Sequence, residues 1–154
     1  MPTVPLLRPA TNADRQGVED LVFSVLCEFG LRPDPDDTDA DLSDIVAHYQ
    51  GGLFDVLEDE DGAIVGSVGL FRVDGETCEL RKMYLQPAVR RSGQGRRLLE
   101  HALAEARQLG YRRVTLETAS PLTTAIALYR RYGFRPVTRE HQTARCDQSF
   151  VLDF

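Results

Sequence analysis

The stretch that most limits how this chain folds is LFDVLEDEDGAIVGSVGLFRVDGETCELRKMYLQP, residues 53–87. It is rich in β-branched and aromatic residues and is cut twice by Asp-Gly, at Asp61-Gly62 and Asp74-Gly75. Asp-Gly is a dipeptide that closes tight hairpins, because both of its residues tolerate positive φ. The spacing predicts three consecutive antiparallel strands over about 53–59, 63–73 and 76–86. The next segment has a different period. Leu98, Leu99, Ala102, Leu103, Ala106 and Leu109 recur as one apolar stripe, which predicts a helix over 94–109 with Gly110 as its stop. The run RRVTLETA (112–119) then reads as a strand. Ser120 and Pro121 read as N-cap and first position of a helix to about 132, ended by Gly133. Two further strands are expected near 134–139 and 145–153. A strand reached through a helix pairs parallel with its predecessor, so the sheet must be mixed.

Upstream, VPLLR (4–8) is strand-like, and Thr11 with Asp14 forms a capping-box pattern. Val18, Leu21, Val22, Val25, Leu26 and Phe29 come next at helical spacing, up to Gly30. A Pro/Asp loop leads into a second helix near 40–50. The 154 residues, 42% hydrophobic and 27% charged, suit one domain spanning 1–154. No apolar run approaches the roughly 18 residues of a membrane span, and no secretory signal pattern opens the chain. Cys27, Cys78 and Cys146 lie far apart with no CxxC spacing, so they are expected to be reduced thiols, two of them buried, in a cytoplasmic protein without a metal.

The net charge of −6 is unevenly spread. Residues 1–80 carry 4 basic and 18 acidic side chains, whereas residues 81–135 carry 12 basic and 3 acidic ones. A basic centre fits nucleic acid or one polyanionic small ligand. Nucleic acid is disfavoured, because VRRSGQGRRLLEHALAEARQLG interleaves no aromatic residue among its arginines. The same run sets Arg90, Arg91, Ser92, Gly93, Gln94 and Gly95 at the mouth of the amphipathic helix. Helix N-termini present unpartnered N–H groups and partial positive charge, and glycine lets a ligand approach the backbone. The run is neither a Walker A loop nor a Rossmann fingerprint.

The pattern Arg90-x-x-Gly93-x-Gly95, together with TLETASPLTTAIALYRRYGFRP (115–136), resembles the GNAT superfamily of acyl-CoA N-acyltransferases. The likeness extends to the element order and is closest over residues 76–136. It implies a mixed α/β (α+β) acyl-CoA N-acyltransferase fold, a central sheet of about seven strands flanked by four helices. It also implies acetyl-CoA (coenzyme A) as cosubstrate. The N–H groups of Arg91 to Arg96 would cradle its pyrophosphate, with charge from Arg90, Arg91, Arg96 and Arg97. Main-chain groups of Met83, Tyr84 and Leu85 would bind the pantetheine arm. Leu122 stands where family members commonly carry Asn, seven residues before the helix tyrosine, so that side-chain contact is missing. The resemblance implies Glu79 as general base and Tyr129 as general acid. Glu117 is a second candidate base, and Glu28 and the acidic residues 34–41 are candidates to hold a cationic acceptor. His48, His101 and His141 have no spacing that suggests a triad or metal, and no Gly-x-Ser-x-Gly elbow suggests an acyl-enzyme. The expected activity is direct acetyl transfer to the primary amine of a small cationic molecule or a peptide, with no membrane partner and with a homodimer allowed. A non-catalytic acyl-CoA-binding domain is the alternative.

Overall fold

The computed structural model describes residues 3–138 and 145–154. His141 and the end of the strand expected at 134–139 lie outside the described residues. The chain runs β1 (Leu6–Pro9), α1 (Arg15–Glu28), α2 (Ile45–His48), β2 (Leu53–Glu58), β3 (Ile64–Arg72), β4 (Thr77–Leu85), α3 (Gln94–Gln108), β5 (Arg113–Thr118), α4 (Thr123–Arg131), β6 (Arg135–Val137) and β7 (Gln148–Asp153). The strands form one seven-stranded sheet in the order β1-β2-β3-β4-β5-β7-β6. The pair β4–β5 is parallel and every other pair is antiparallel. The cause is connection: α3 carries the chain back between β4 and β5, whereas short turns join β2, β3 and β4.

Both turns of the meander fall where Asp-Gly placed them. The first is fastened by a carboxylate two residues before its dipeptide, the second by the aspartate of the dipeptide itself. Asp59 Oδ1 accepts from the N–H groups of Asp61 and Ala63, and Asp74 Oδ1 from those of Glu76 and Thr77, at 2.8–2.9 Å. The capping box forms as expected, with Asp14 accepting from Thr11 N at 2.8 Å and the Thr11 hydroxyl from Ala13 N at 3.3 Å. It opens a tight helical turn, Asn12–Asp14, that runs into α1.

The two faces of the sheet carry separate apolar layers. On one, Val18, Leu21, Val22, Val25 and Leu26 of α1 pack with Leu42, Ile45, Tyr49, Phe54 and Val56. On the other, Leu98, Leu99, Ala102, Leu103 and Ala106 of α3 pack with Leu57, Val68, Leu70, Leu80, Leu116 and Phe150.

Four expectations are corrected. Leu109 is 49% exposed, because it caps α3 beyond the sheet's edge. The second helix is only α2, preceded by a tight helical turn at Ala40–Asp44, because Asp44 leaves the helical conformation and caps α2, accepting from Ala47 N at 3.2 Å. Ser120 does not cap α4, which starts at Thr123 with Leu122 in the cap position and no side-chain cap bond. Ser120 bonds Asp147 instead, through its N–H at 2.9 Å and its hydroxyl at 2.5 Å, tying the approach to α4 to the start of β7. Finally, Cys78 alone is buried; Cys27 is exposed and Cys146 half-buried, and all three are free thiols.

Leu99 is fully buried against this sheet. Leu99→Ala should therefore lower unfolding free energy by about 2–5 kcal/mol, the cost of lost burial plus a residual cavity. Urea unfolding of both proteins, with unchanged m-values, checks it.

Candidate active site

Strand β4 stays in register with β5 from Thr77↔Arg113 to Leu80↔Leu116, and there the pairing stops. β4 nevertheless continues to Leu85 and β5 to Thr118. Beyond Leu80 the two strands diverge, and a crevice opens at the carboxyl end of the one parallel pair, where open α/β sheets place ligands. Two clefts enter it, of about 670 and 500 Å³, and both are lined by Met83, Tyr84, Leu122 and Ala125.

The larger cleft faces the mouth of α3. Arg91 (φ 64°) and Gly93 (φ 81°) are both left-handed, so the chain bends twice just before the helix. Such bends gather successive N–H groups on one concave side. Gly93 is the N-cap of α3 and no side chain caps the helix; the first intrahelical bond is Arg97 N to Gly93 O at 3.0 Å. A Cβ added at Gly93 would meet no atom within 4 Å, so the space above the helix mouth is open. A Cβ at Gly95 would lie 3.6 Å from Leu85 and 3.7 Å from Leu128, in ordinary contact. Arg90, Arg91, Arg96 and Arg131 line this cleft, and no described carboxylate does.

The four arginines are not equivalent. Arg90 forks onto Glu28 at 2.5 and 2.9 Å, and its Nε donates to Leu85 O at 3.1 Å. This hydrogen-bonded pairing holds the Glu28 carboxyl below its ordinary range. Arg90 therefore fastens the end of α1 to the end of β4, with its charge already balanced. The same bond takes Glu28 away from the cation-binding role considered for it. Arg96 has only a loose, exposed contact with Glu100 at 3.5 Å. Arg131, at the end of α4, was missed by the sequence reading; only the fold brings that helix end beside the mouth of α3. Arg97 turns elsewhere, donating to Pro5 O at 2.7 Å and to Gln94 Oε1 at 3.2 Å. The Gln94 side chain is thus buried structure, and the Ser92 hydroxyl is spent on Val89 O at 2.6 Å. For Ser92 and Gln94, the group available to an anion is the main-chain N–H.

The smaller cleft brings the two candidate catalytic residues together. Glu79 from β4 and Tyr129 from α4 both line it, with Glu117 from β5. The Glu79 carboxylate bonds Arg81 Nε, and the Arg81 guanidinium lies 3.9 Å over the Phe71 ring. Burial is the largest influence on Arg81 and opposes its charge, but Glu79, Tyr49 and Asp41 outweigh it and hold the group firmly cationic. Tyr129 is 6% exposed, and burial, reinforced by Tyr84 and Cys146, raises its hydroxyl well above the ordinary phenol range. Burial likewise pushes Tyr84 up to about 12. Leu122 is half-buried where the clefts meet, presenting methyl groups where an amide would offer hydrogen bonds.

The acidic segment behaves differently from expectation. Asp39 and Asp41 are buried and already bonded, Asp39 to Arg145 at 2.6 and 2.7 Å and Asp41 to the Tyr49 hydroxyl. Asp34 is used within its own loop, accepting from Thr38. Of the candidates from residues 34–41 that reach the cleft, Asp37 is the exposed one. His48 stacks on Phe71 with centroids 5.1 Å apart, and His101 bonds Asp55 at 2.6 Å. Among the described residues no group of three His, Cys, Asp or Glu side chains is placed to hold a metal, and no helix is long and apolar enough to cross a membrane.

A likeness to known proteins bears on this geometry. Over 143 residues the chain is 36% identical to the N-acetyltransferase YjgM of Escherichia coli, covering 88% of this chain and 85% of that protein. An acetyltransferase of the GNAT family from Staphylococcus aureus superposes with a TM-score of 0.90 over 96% of this chain and 98% of its own, at 22% identity. The yncA protein of Salmonella typhimurium, solved with acetyl-CoA, matches with a TM-score of 0.73 at 24% identity, covering 98% of this chain and 94% of its own. The model of the acetyltransferase (GNAT) family matches residues 20–134, which include the diverging strands, the mouth of α3 and Tyr129. The chain is a member of the GNAT acetyltransferase family.

Proposed function

We propose that the protein, acting as one domain, transfers the acetyl group of acetyl-CoA directly to the primary amine of a small cationic molecule or a peptide. The observation that carries this reading is the larger cleft. It joins an uncapped fifteen-residue helix mouth and four arginines, with no described carboxylate on its lining. That donor set fits a pyrophosphate. The N–H groups from Arg91 to Arg96 would hold it, with charge from Arg91, Arg96 and Arg131, which share the cleft lining with no described carboxylate. Met83, Tyr84 and Leu85 lie past the last β4–β5 pair, and their main-chain groups, apart from Leu85 O, which takes Arg90, would suit an amide-bearing arm. Several of the relatives and structural neighbours are named N-acetyltransferases, and this favours turnover over a binding-only role.

Acetyl-CoA, when bound, supplies the acetyl group as a thioester. The residues of the smaller cleft then manage protons. An alkylammonium has a pKa near 10.4 and must lose a proton to attack. Glu79, oriented by Arg81, accepts that proton directly or through water. As the C–N bond forms and the C–S bond breaks, Tyr129 gives its hydroxyl proton to the departing sulfur. A phenol is protonated at neutral pH, as a donor must be; burial raises this one further, so it gives up the proton only as thiolate charge develops beside it. Acidic Asp37 and Glu117 make the cleft hospitable to a cation.

Gly93→Asp would place a side chain and a negative charge in the open space above the helix mouth. Acetyl-CoA binding measured by calorimetry should fall by about 100-fold or more, and unchanged affinity would remove the cradle from the account.

The proton roles separate by pH. Glu79→Gln should cost kcat/KM most at low pH, where free amine is scarce, and the loss should shrink as pH rises toward the amine pKa. Tyr129→Phe should lower kcat by roughly 10²-fold with little change in acetyl-CoA affinity. A pH–rate profile of both variants on one good acceptor tests this. A pH-independent loss for Glu79→Gln would leave it a positioning group, and normal kcat for Tyr129→Phe would leave that proton to water.

A further inference from the structure

Lys82 is unlike every other residue of β4. Its side chain is 6% exposed and its backbone is left-handed, with φ 54°. It sits where the β3–β4 register slips between Ser67 and Gly69. A left-handed lysine in mid-strand is a strained conformer that persists only when its surroundings hold it. Two contacts do so. The fully buried Ser67 hydroxyl donates to Lys82 O at 2.6 Å. The Nζ reaches Thr38 O at 3.2 Å, Asp39 at 3.2 Å and Asp41 at 3.3 Å.

Those partners belong to the segment RPDPDDTDAD (32–41), which has almost nothing apolar with which to order itself. Asp39, with its side chain fully buried, also takes both terminal nitrogens of Arg145, more than a hundred residues away in the chain. Arg145 NH1 bonds Arg32 O at 3.2 Å as well. Two cations and two carboxylates from three chain segments thus form one buried network. Thr38, Asp41, Lys82 and Arg145 are all walls of the smaller cleft.

We propose that Lys82 is the positioning residue of the acceptor side: its charge, with that of Arg145, seats residues 32–41 as the roof of the smaller cleft. This rests on reading that cleft as the acceptor's. An acidic, proline-rich segment carries too little apolar surface to offset its ordering entropy. Paired burial of Asp39 and Asp41 replaces that missing contact, and removing one cation leaves two buried carboxylates with only the other, Arg145 on Asp39 or Lys82 shared between them. The same residue's backbone forms the slip in β4 that leads into Met83–Leu85. Roof and crevice are therefore built from one position.

Hydrogen–deuterium exchange on the full chain tests the seat without any ligand, in Lys82→Met and in Arg145→Met. Arg145→Met reaches the network from outside the strained strand and serves if Lys82→Met fails to fold. The roof amides have defined bonds to lose, Asp39 N to Asp34 O at 2.8 Å and Ala40 N to Asp37 O at 3.1 Å. Exchange over 32–41 should rise roughly tenfold or more in both variants, while β2 and β3 amides keep their protection. Unchanged exchange, or loss of protection across the whole sheet, overturns the proposal. Steady-state kinetics with the best acceptor from a panel of amino acids, polyamines and short peptides tests the consequence. The acceptor KM should rise about tenfold with acetyl-CoA KM within about twofold, and equal shifts in both would overturn it. Should the unaltered protein acetylate no amine, the transfer reading fails, and the exchange result still decides the seat.

Discussion

Everything at this site depends on two strands that stop pairing. β4 and β5 are held together for four residue pairs, ending at Leu80 and Leu116, and then continue apart. A parallel pair requires a long crossover, and here the crossover is α3. The helix must start just beyond the carboxyl end of β4 to return the chain to the beginning of β5. Its unpartnered N–H groups therefore open on the same crevice as the released main chain of Met83–Leu85. One topological requirement brings together a helix mouth suited to phosphate and a strand edge suited to amides. α4, which leaves β5 at the other lip, adds Tyr129 and Arg131.

The uneven charge of the chain is an internal matter as much as an external one. Acidic residues of the first half meet basic residues of the centre and the C-terminal strand region across the site. Glu28 meets Arg90, and Asp39 and Asp41 meet Lys82 and Arg145. The buried pairs of Asp39 and Asp41 contribute little net stability against an apolar replacement, but losing one partner is costly, whereas the exposed Glu28–Arg90 pair contributes little either way. Their effect is placement. They tie the end of α1 to the end of β4 and seat the irregular 32–41 segment, which has little apolar surface with which to fasten itself. The charges that line the two clefts are sorted by position, with Arg91, Arg96 and Arg131 around one and Asp37 on the wall of the other.

Much of this was legible in the sequence because it is local. The α1 and α3 stripes, the Asp-Gly turns, the Thr11–Asp14 box and the glycines at the helix mouth each depend on neighbours within a few positions. The motifs around Arg90 and Tyr129 carried the family. What could not be read is non-local. Ser120 looked like a helix cap, but a partner twenty-seven residues away, Asp147, competes for its hydroxyl. Arg131 looked like the polar end of a helix. Arg90 carried the motif, yet its charge is shared with a residue sixty-two positions earlier. Asp39 and Asp41 read as candidates to hold a cationic acceptor because no sequence signal announces that Lys82 and Arg145 will be buried beside them.

The claim on which the rest stands is that the mouth of α3 is a phosphate seat, so that the nucleotide end of the cosubstrate supplies most of its affinity. Calorimetric titration with coenzyme A and with pantetheine tests it directly. The two share the thiol arm that would lie along Met83–Leu85, and only one carries phosphates. The account predicts that pantetheine binds at least about 100-fold more weakly, and that raising salt narrows the gap by screening the arginines. Equal affinity for the two would contradict it.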